Sequence, residues 1–165
     1  MALTKVIGSG IGTVTNQFAD ANLPAGSVLQ VVTGTTSSRL ASTSTSYADT
    51  GLSVSITPSS SSNKILLIGT HADCFKTGVN NTATSIHLRL VRGSTEILDI
   101  ADRGLLTGTA IELLGQISFN HLDSPSTTSA TTYKTEFHNH VAASLVSVQQ
   151  QGAGVSTLIA MEIVA

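Results

Sequence analysis

The stretch Thr50-Gly51-Leu52-Ser53-Val54-Ser55-Ile56-Thr57-Pro58 decides the fold class of this 165-residue chain. Leu52, Val54 and Ile56 alternate with residues that carry hydroxyl groups, and this period of two is typical of a β-strand with one buried face. Pro58 ends the strand because proline has no N–H for a further ladder bond. The pattern predicts a sheet with an aliphatic inner face and a polar outer face.

Similar apolar segments recur along the chain, with turn residues between them and without an amphipathic helical pattern. They lie at 27–32, 64–70, 86–91, 96–100, 110–122, 133–137, 145–149 and 158–164, and the Ser/Thr-rich stretch 35–46 is predicted as a long loop or an edge strand. About eight to ten strands spaced by roughly ten residues are typical of two packed antiparallel sheets. We therefore predict an all-β protein with an antiparallel, jelly-roll-like β-sandwich.

The first residues differ from this pattern and predict an extended N-terminal arm. Residues 3–7 are compatible with a short strand, and Gly8, Gly10 and Gly12 make the following stretch flexible. We divide the chain into an anchoring arm at 1–24 and a sandwich domain at 25–165. The apolar residues expected to anchor the arm are Leu3, Val6, Ile7, Ile11, Val14 and Phe18.

The composition argues against several kinds of partner. Charged residues make up 11% of the chain, against about 25% in a typical soluble domain, and Ser and Thr supply the polarity instead. Such a surface suits contact with copies of the chain or with a neighbouring protein, the alternative being a monomer with a Ser/Thr-rich surface. The eight Lys and Arg residues are scattered, so we expect no nucleic-acid binding. The sequence has no apolar run long enough for membrane insertion, and its start has no apolar signal core, so we expect synthesis in the cytoplasm.

No motif for a cofactor or for catalysis is convincing. The glycines at 8–12 do not complete GxGxxG, because position 13 is Thr13 and a β-branched stretch follows, so we expect no cofactor. A GxSxG motif and carboxylate clusters at metal-like spacing are lacking, and we assign no catalytic residue. Cys74 is the single cysteine, and we interpret it as a buried structural thiol.

Histidines are the remaining candidate metal ligands. His138 and His140 are two apart on a predicted strand and therefore point to the same side. They are weak candidates for a metal site, with two open alternatives: an exposed polar strand edge, or a contact with symmetry-related copies near an axis. His71, His87 and His121 are interpreted as isolated surface or core residues.

Several segments resemble short virion structural proteins of tailed bacteriophages, including marine and cyanobacterial ones, which are often labelled tail fibre proteins. The block from Thr50 to Leu67 carries most of this resemblance. The others are Gly26 to Val32, Leu122 to Pro125, Thr132 to Lys134 and Ser156 to Ile163.

The resemblance implies an exposed, non-enzymatic virion component, trimeric, assembled in the host cytoplasm with other capsid or tail proteins. Its label favours a tail-fibre or host-contact module that meets a host surface receptor. The short length favours the alternative of a head decoration (cement) protein that stabilises the capsid. A glycan-binding or glycan-cleaving protein is a third possibility, weakened by the scarcity of aromatic residues such as Tyr47 and Tyr133.

Overall fold

The computed structural model describes residues 23–79 and 81–165. Within these ranges the chain forms ten β-strands and no helix. The strands are β1 (Val28–Thr36), β2 (Leu40–Ser42), β3 (Ala48–Ile56), β4 (Lys64–Lys76), β5 (Ile86–Arg92), β6 (Thr95–Gly104), β7 (Leu113–Asp123), β8 (Thr131–Asn139), β9 (Val146–Val148) and β10 (Ser156–Ile163).

The strands form two antiparallel sheets that pack as a sandwich, which confirms the predicted fold class. The six-stranded sheet has the order β1-β10-β4-β9-β2, with β7 paired to the other side of β4, and the four-stranded sheet has the order β3-β8-β5-β6. The principal pairs are nested in sequence: β5 with β6, β4 with β7, β3 with β8, and β1 with β10. The chain is thus a long two-stranded ribbon that rolls up, which is the jelly-roll arrangement.

Alternation of side chains explains why these segments form strands. In β3 the predicted residues Leu52, Val54 and Ile56 are buried and the residues between them are exposed. They pack with Tyr133 and Leu158 into one cluster of the core, and a second cluster lies around Leu88, Phe137 and Val148 further along the sandwich. The aliphatic inner faces of both sheets therefore provide the main free energy of folding.

Glycines make room for close contacts at two defined points of the fold. A Cβ on Gly34 in β1 would lie 1.8 Å from the carbonyl oxygen of Ser53 in β3, so only glycine fits where these strands cross. A Cβ on Gly69 in β4 would lie 2.3 Å from the ring of Phe119 in β7, and glycine there makes room for the aromatic side chain. Gly34 thus lets the two sheets approach where β1 crosses β3, whereas Gly69 makes room for an aromatic ring within the six-stranded sheet.

Two boundaries differ from the sequence prediction. The stretch 35–46 is divided between the end of β1, the short edge strand β2 and connecting residues, so the edge-strand alternative is confirmed in part. The strand predicted from residue 110 begins at Leu113, because its last partner on β4 is Lys76, where β4 ends. Ile111 and Glu112 instead pass over Gly78, whose missing side chain leaves room for their backbone.

Candidate functional site

The outer face of the six-stranded sheet carries apolar residues in register across four neighbouring strands. Val31 on β1 pairs with Met161 on β10, Met161 pairs with Leu66 on β4, and Leu66 pairs with Leu122 on β7. The next row outward along the strands is Thr33, Ile159, Ile68 and Asn120. We call the six residues Val31, Met161, Leu66, Leu122, Ile159 and Ile68 the apolar rows.

Three of these aliphatic side chains are exposed, and Leu66, Ile159 and Met161 are half-buried between them. Val31 is 53% exposed, Leu122 50% and Ile68 40%. A shallow depression lined by Leu66, Ile68 and neighbouring residues of β7 runs between β4 and β7. The apolar rows cover roughly 200 Å², estimated for six residues from a spacing of about 4.8 Å between strands and about 6.8 Å between residues on the same face. Contiguous exposed aliphatic side chains on one face of a small protein are a candidate contact site.

Further along the strands the same face becomes hydroxyl-rich and stays neutral. The third row consists of Thr35, Thr157, Thr70 and Ser118, and the hydroxyls of Thr70 and Ser118 lie 3.0 Å apart. A fourth row, at the margin of the face, contains Lys64, which pairs with Ile163. Within these four rows Lys64 is the one charged residue that faces outward. The face therefore presents groups that another protein can cover at little electrostatic cost.

The outer face of the four-stranded sheet has the opposite character, because ion pairs run across it. Arg89 on β5 donates to Glu136 on β8 at 2.7 Å and to Glu96 on β6 at 3.0 Å. Lys134 on β8 lies 2.8 Å from Glu136 and 3.3 Å from Asp49 on β3. Burial alone would raise the pKa of Glu136, but hydrogen bonds from Lys134 and Arg89 hold this pKa below its ordinary value. Covering this face would remove several charges from water, which is costly.

Three histidines lie together at one end of this charged face. The ring of His87 stacks on His138 at 4.4 Å and on His140 at 5.2 Å, measured between ring centroids. The predicted common side of His138 and His140 is confirmed, because both contact the same ring. The interpretation of His87 as isolated is wrong, since the pairing of β5 with β8 places it directly opposite His138.

The hydrogen bonds of this cluster define the tautomers of two of its rings. His87 Nδ1 lies 3.1 Å from Asp102 Oδ1 and therefore donates to it. His87 Nε2 then accepts from His140 Nδ1 at 3.1 Å, and His140 Nε2 accepts from the guanidinium of Arg103. Burial, and then the neighbouring His138, lower the pKa of His87 from its ordinary value, which favours the neutral form.

This arrangement does not form a metal centre in the part of the chain that the structure describes. His138 Nδ1 lies 2.8 Å from the carbonyl oxygen of Asn139 and donates to it. Across residues 23–79 and 81–165, no group of three or more His, Cys, Asp or Glu side chains is arranged to hold a metal ion. The cluster instead ties β6 to the end of β8.

The other chemically interesting groups are buried. His71 Nε2 lies 3.0 Å from Thr135 Oγ1, and both residues are 0% exposed, so a substrate in solution does not reach this pair. Cys74 is also 0% exposed, as predicted for a structural thiol, and burial raises its pKa to about 12. Glu162 accepts hydrogen bonds from Gln30, Asn63 and Ser59 at the end of the sandwich. These groups stabilise the fold.

The described chain begins at the end of the face where the apolar rows lie. Leu23 borders a depression beside Asn63 and Val164. Residues 24–27 form a turn, in which Ser27 N–H donates to Pro24 O and Gly26 has a φ of +89°, and Gly26 N–H then donates to Val164 O. The predicted anchor residues Leu3, Val6, Ile7, Ile11, Val14 and Phe18 lie outside the described residues. The division at residues 24 and 25 stays a prediction.

These features define a jelly-roll domain with one charged and one neutral outer face. Within the described residues, no helix is long and apolar enough to span a bilayer. No protein-family model and no curated protein matches the chain.

Similar solved structures come from a virus. One is the crystal structure of the infectious bursal disease virus VP2 subviral particle, with 17% identity and a TM-score of 0.47 over 82% of this chain and 37% of that chain. Another is the structure of the infectious bursal disease virus Gx strain, with 17% identity, a TM-score of 0.46 and the same coverage. The chain spans little more than a third of their length, and likeness at this level assigns neither a family nor a function.

Proposed function

We propose that this chain is a non-enzymatic structural subunit of a virus particle and that it assembles through the outer face of its six-stranded sheet. The observation that carries the assembly surface is the contrast between the two outer faces. The apolar rows and the hydroxyl row make one face neutral, whereas ion pairs centred on Arg89 and Glu136 cover the other. The neutral face therefore suits contact with another protein, and the charged face suits exposure to water.

The energetics of the two faces support this assignment. Covering about 200 Å² of apolar surface gains roughly 5 kcal/mol at about 25 cal/mol per Å², before the entropy of association is subtracted. The hydroxyls of Thr70 and Ser118 already satisfy each other and tolerate a neighbouring surface. On the charged face, removal of water from Arg89 and its two carboxylate partners would cost several kcal/mol.

The viral part of the proposal rests on the resemblance of segments such as Thr50 to Leu67 to short virion proteins of tailed bacteriophages. In that setting the subunit is a trimer exposed on the particle, and the segment at 1–24 anchors it to a capsid or tail protein. The first role is a tail-fibre or host-contact module that meets a host surface receptor. The second role is head decoration, in which the hydroxyl-rich part of the neutral face lies on the capsid and the charged face points outward.

A pair of charge insertions tests the assembly surface. Ile68→Lys places an ammonium group within the apolar rows, whereas Ser55→Lys places the same group at an exposed position on β3, on the charged face. Light scattering at micromolar concentration should give three times the chain mass of 16.9 kDa for the wild type and for Ser55→Lys. Ile68→Lys should shift the mass toward that of one chain. Equal masses for both variants would contradict the proposed surface.

A second experiment tests the viral assignment and separates the two roles. Antibodies raised against the recombinant protein should label the surface of particles purified from virus-producing cultures. Mass spectrometry of those particles should give a copy number comparable to that of the capsid protein for a decoration protein, and far fewer copies for a fibre. Absence of the chain from the particles would refute the viral role.

Binding assays with the isolated protein separate host contact from decoration. A host-contact module should bind host cells or their surface glycans, whereas a decoration protein should bind capsids that lack it. Turnover of a polysaccharide that is lost on replacement of one carboxylate would instead support the glycan-cleaving alternative.

A further inference from the structure

We propose that the apolar rows of one copy are covered by the N-terminal segment 3–7 of a neighbouring copy. This inference rests on the proposed function, because it names the partner of the assembly surface. Three observations support it: the size of the apolar rows, the place where the described chain begins, and the length and chemistry of the segment before it.

The apolar rows are too small for a stable contact between two rigid faces. A specific interface buries about 800 Å² on each partner, roughly four times the area of the apolar rows. An extended segment suits the patch better, because three strand spacings correspond to about 14 Å, which is the length of four to five extended residues. The segment 3–7 has this length, and it contains Leu3, Val6 and Ile7.

The segment matches the face in chemistry. Its apolar residues are Leu3, Val6 and Ile7, and its single charged residue is Lys5. The face to be covered is equally poor in charge, with Lys64 at its margin. The long flexible side chain of Lys5 can carry its ammonium group to the edge of the contact, so the ion need not stay buried.

The described chain starts at Leu23, at the end of the sandwich where the apolar rows lie. Leu23 lies beside Asn63 and Val164, and these residues immediately adjoin Lys64 and Ile163, which pair with each other next to the apolar rows. The preceding chain therefore leaves the domain at the apolar end of the face and away from the hydroxyl row around Thr70.

The length of the connection favours a neighbouring copy over the same chain. From Asn63 to Leu66 is about 10 Å along β4, which three or four residues would span. Fifteen residues separate Ile7 from Leu23. Such a connection spans about 50 Å when extended and about 20 Å as a flexible chain. This reach matches a neighbouring domain, whose diameter is about 40 Å for a chain of this size.

An exchange of this kind gives each copy one segment to donate and one face to be covered. The contact is heterologous, and repetition by rotation closes it into a ring without an open end. A trimer is the expected ring in the proposed virion role. The same exchange would bring the neutral faces under cover while the charged faces stay in solvent.

Site-directed crosslinking of the full chain tests the proposal. The variant Val6→Cys/Leu66→Cys carries one thiol on the segment and one in the apolar rows, and Val6→Cys/Ser55→Cys is the matched control with the second thiol on the charged face. A flexible bismaleimide is the probe, because it tolerates small errors in register. Cys74 is buried and should not compete for it. Mixing chains labelled with ¹⁴N and ¹⁵N before crosslinking identifies links between copies.

The expected result is a set of covalent multimers containing both isotopes in Val6→Cys/Leu66→Cys, and loss of these multimers in the control. Links confined to one isotope would show that the segment covers its own face and would overturn the proposal. An oligomer by light scattering without the link would also overturn it, but would leave the proposed assembly function standing. A monomer by light scattering without any link would overturn both.

Discussion

Acidification should destabilise the fold through His71, and replacement of this residue should remove much of the effect. His71 is 0% exposed in the middle of the sandwich. Its Nε2 lies 3.0 Å from Thr135 Oγ1, and its Nδ1 lies 3.4 Å from the side-chain amide of Gln149. Burial lowers the pKa of His71 from 6.5 to about 4, because a buried imidazolium loses its hydration.

The sign and size of the effect follow from proton linkage. Below pH 6.5 the unfolded chain takes up a proton at His71, whereas the folded chain takes it up only near pH 4. The unfolded state therefore binds more protons between these values, and stability falls as the pH falls through this window. A pKa lowered from 6.5 to about 4 corresponds to about 3 kcal/mol, at about 1.4 kcal/mol for each tenfold change in proton affinity.

Urea unfolding of the wild type and of His71→Gln at several pH values between 7 and 4 measures this contribution. The variant should be less stable at pH 7, and the difference should shrink by about 3 kcal/mol at pH 4, while effects of carboxylates cancel between the two proteins. Both proteins are compared at one concentration, because assembly also changes apparent stability. A stability difference that stays constant over the pH range would refute the assignment of a neutral buried imidazole.

Three further predictions concern packing and buried polar groups. Gly69→Ala should lower stability by about 1–3 kcal/mol in thermal unfolding, because the new Cβ meets the Phe119 ring. Phe119→Leu in the same chain should recover part of the loss, and a purely additive double variant would contradict this cause. Glu162→Gln should cost about 2–3 kcal/mol in urea unfolding, because the amide cannot accept all the bonds from Gln30, Asn63 and Ser59. The exposed Glu112→Gln is its control and should be nearly neutral. Cys74 should react with a thiol reagent at pH 8 only after unfolding, because burial raises its pKa to about 12; rapid reaction of the folded protein would show that the thiol is accessible.

The local strand pattern could be predicted from the sequence because it depends on near neighbours. Alternation of Leu52, Val54 and Ile56 with hydroxyl residues gave the buried and exposed faces of β3 correctly. The same rule predicted that His138 and His140 point to one side, and both rings contact His87, although His140 lies one residue beyond the end of β8. Short-range rules of this kind need only the pleat of a strand, and they do not require knowledge of its partner.

Contacts between distant strands could not be predicted in this way. His87 meets His138 because of the register between β5 and β8, which are separated by two other strands in the sequence. The apolar rows were missed for the same reason, since Leu66 and Ile68 look like ordinary core residues within a dense apolar run. The histidine contact and the apolar rows both follow from the pairing of distant strands, which for example aligns Leu66 with Met161 and Leu122.

The nested pairing of the strands also sets the order in which the chain can fold. The hairpin of β5 and β6 joins neighbours through the tight turn at Gly93, so it forms with a small loss of chain entropy. Each outer pair encloses all the inner ones, and β1 must find β10 across the whole length of the rolled ribbon. Such long-range topology slows the search to milliseconds or seconds. Until β1 pairs with β10, the edge of β10 can pair with another incompletely folded chain. Rapid synthesis at high concentration would therefore favour aggregation over the native fold.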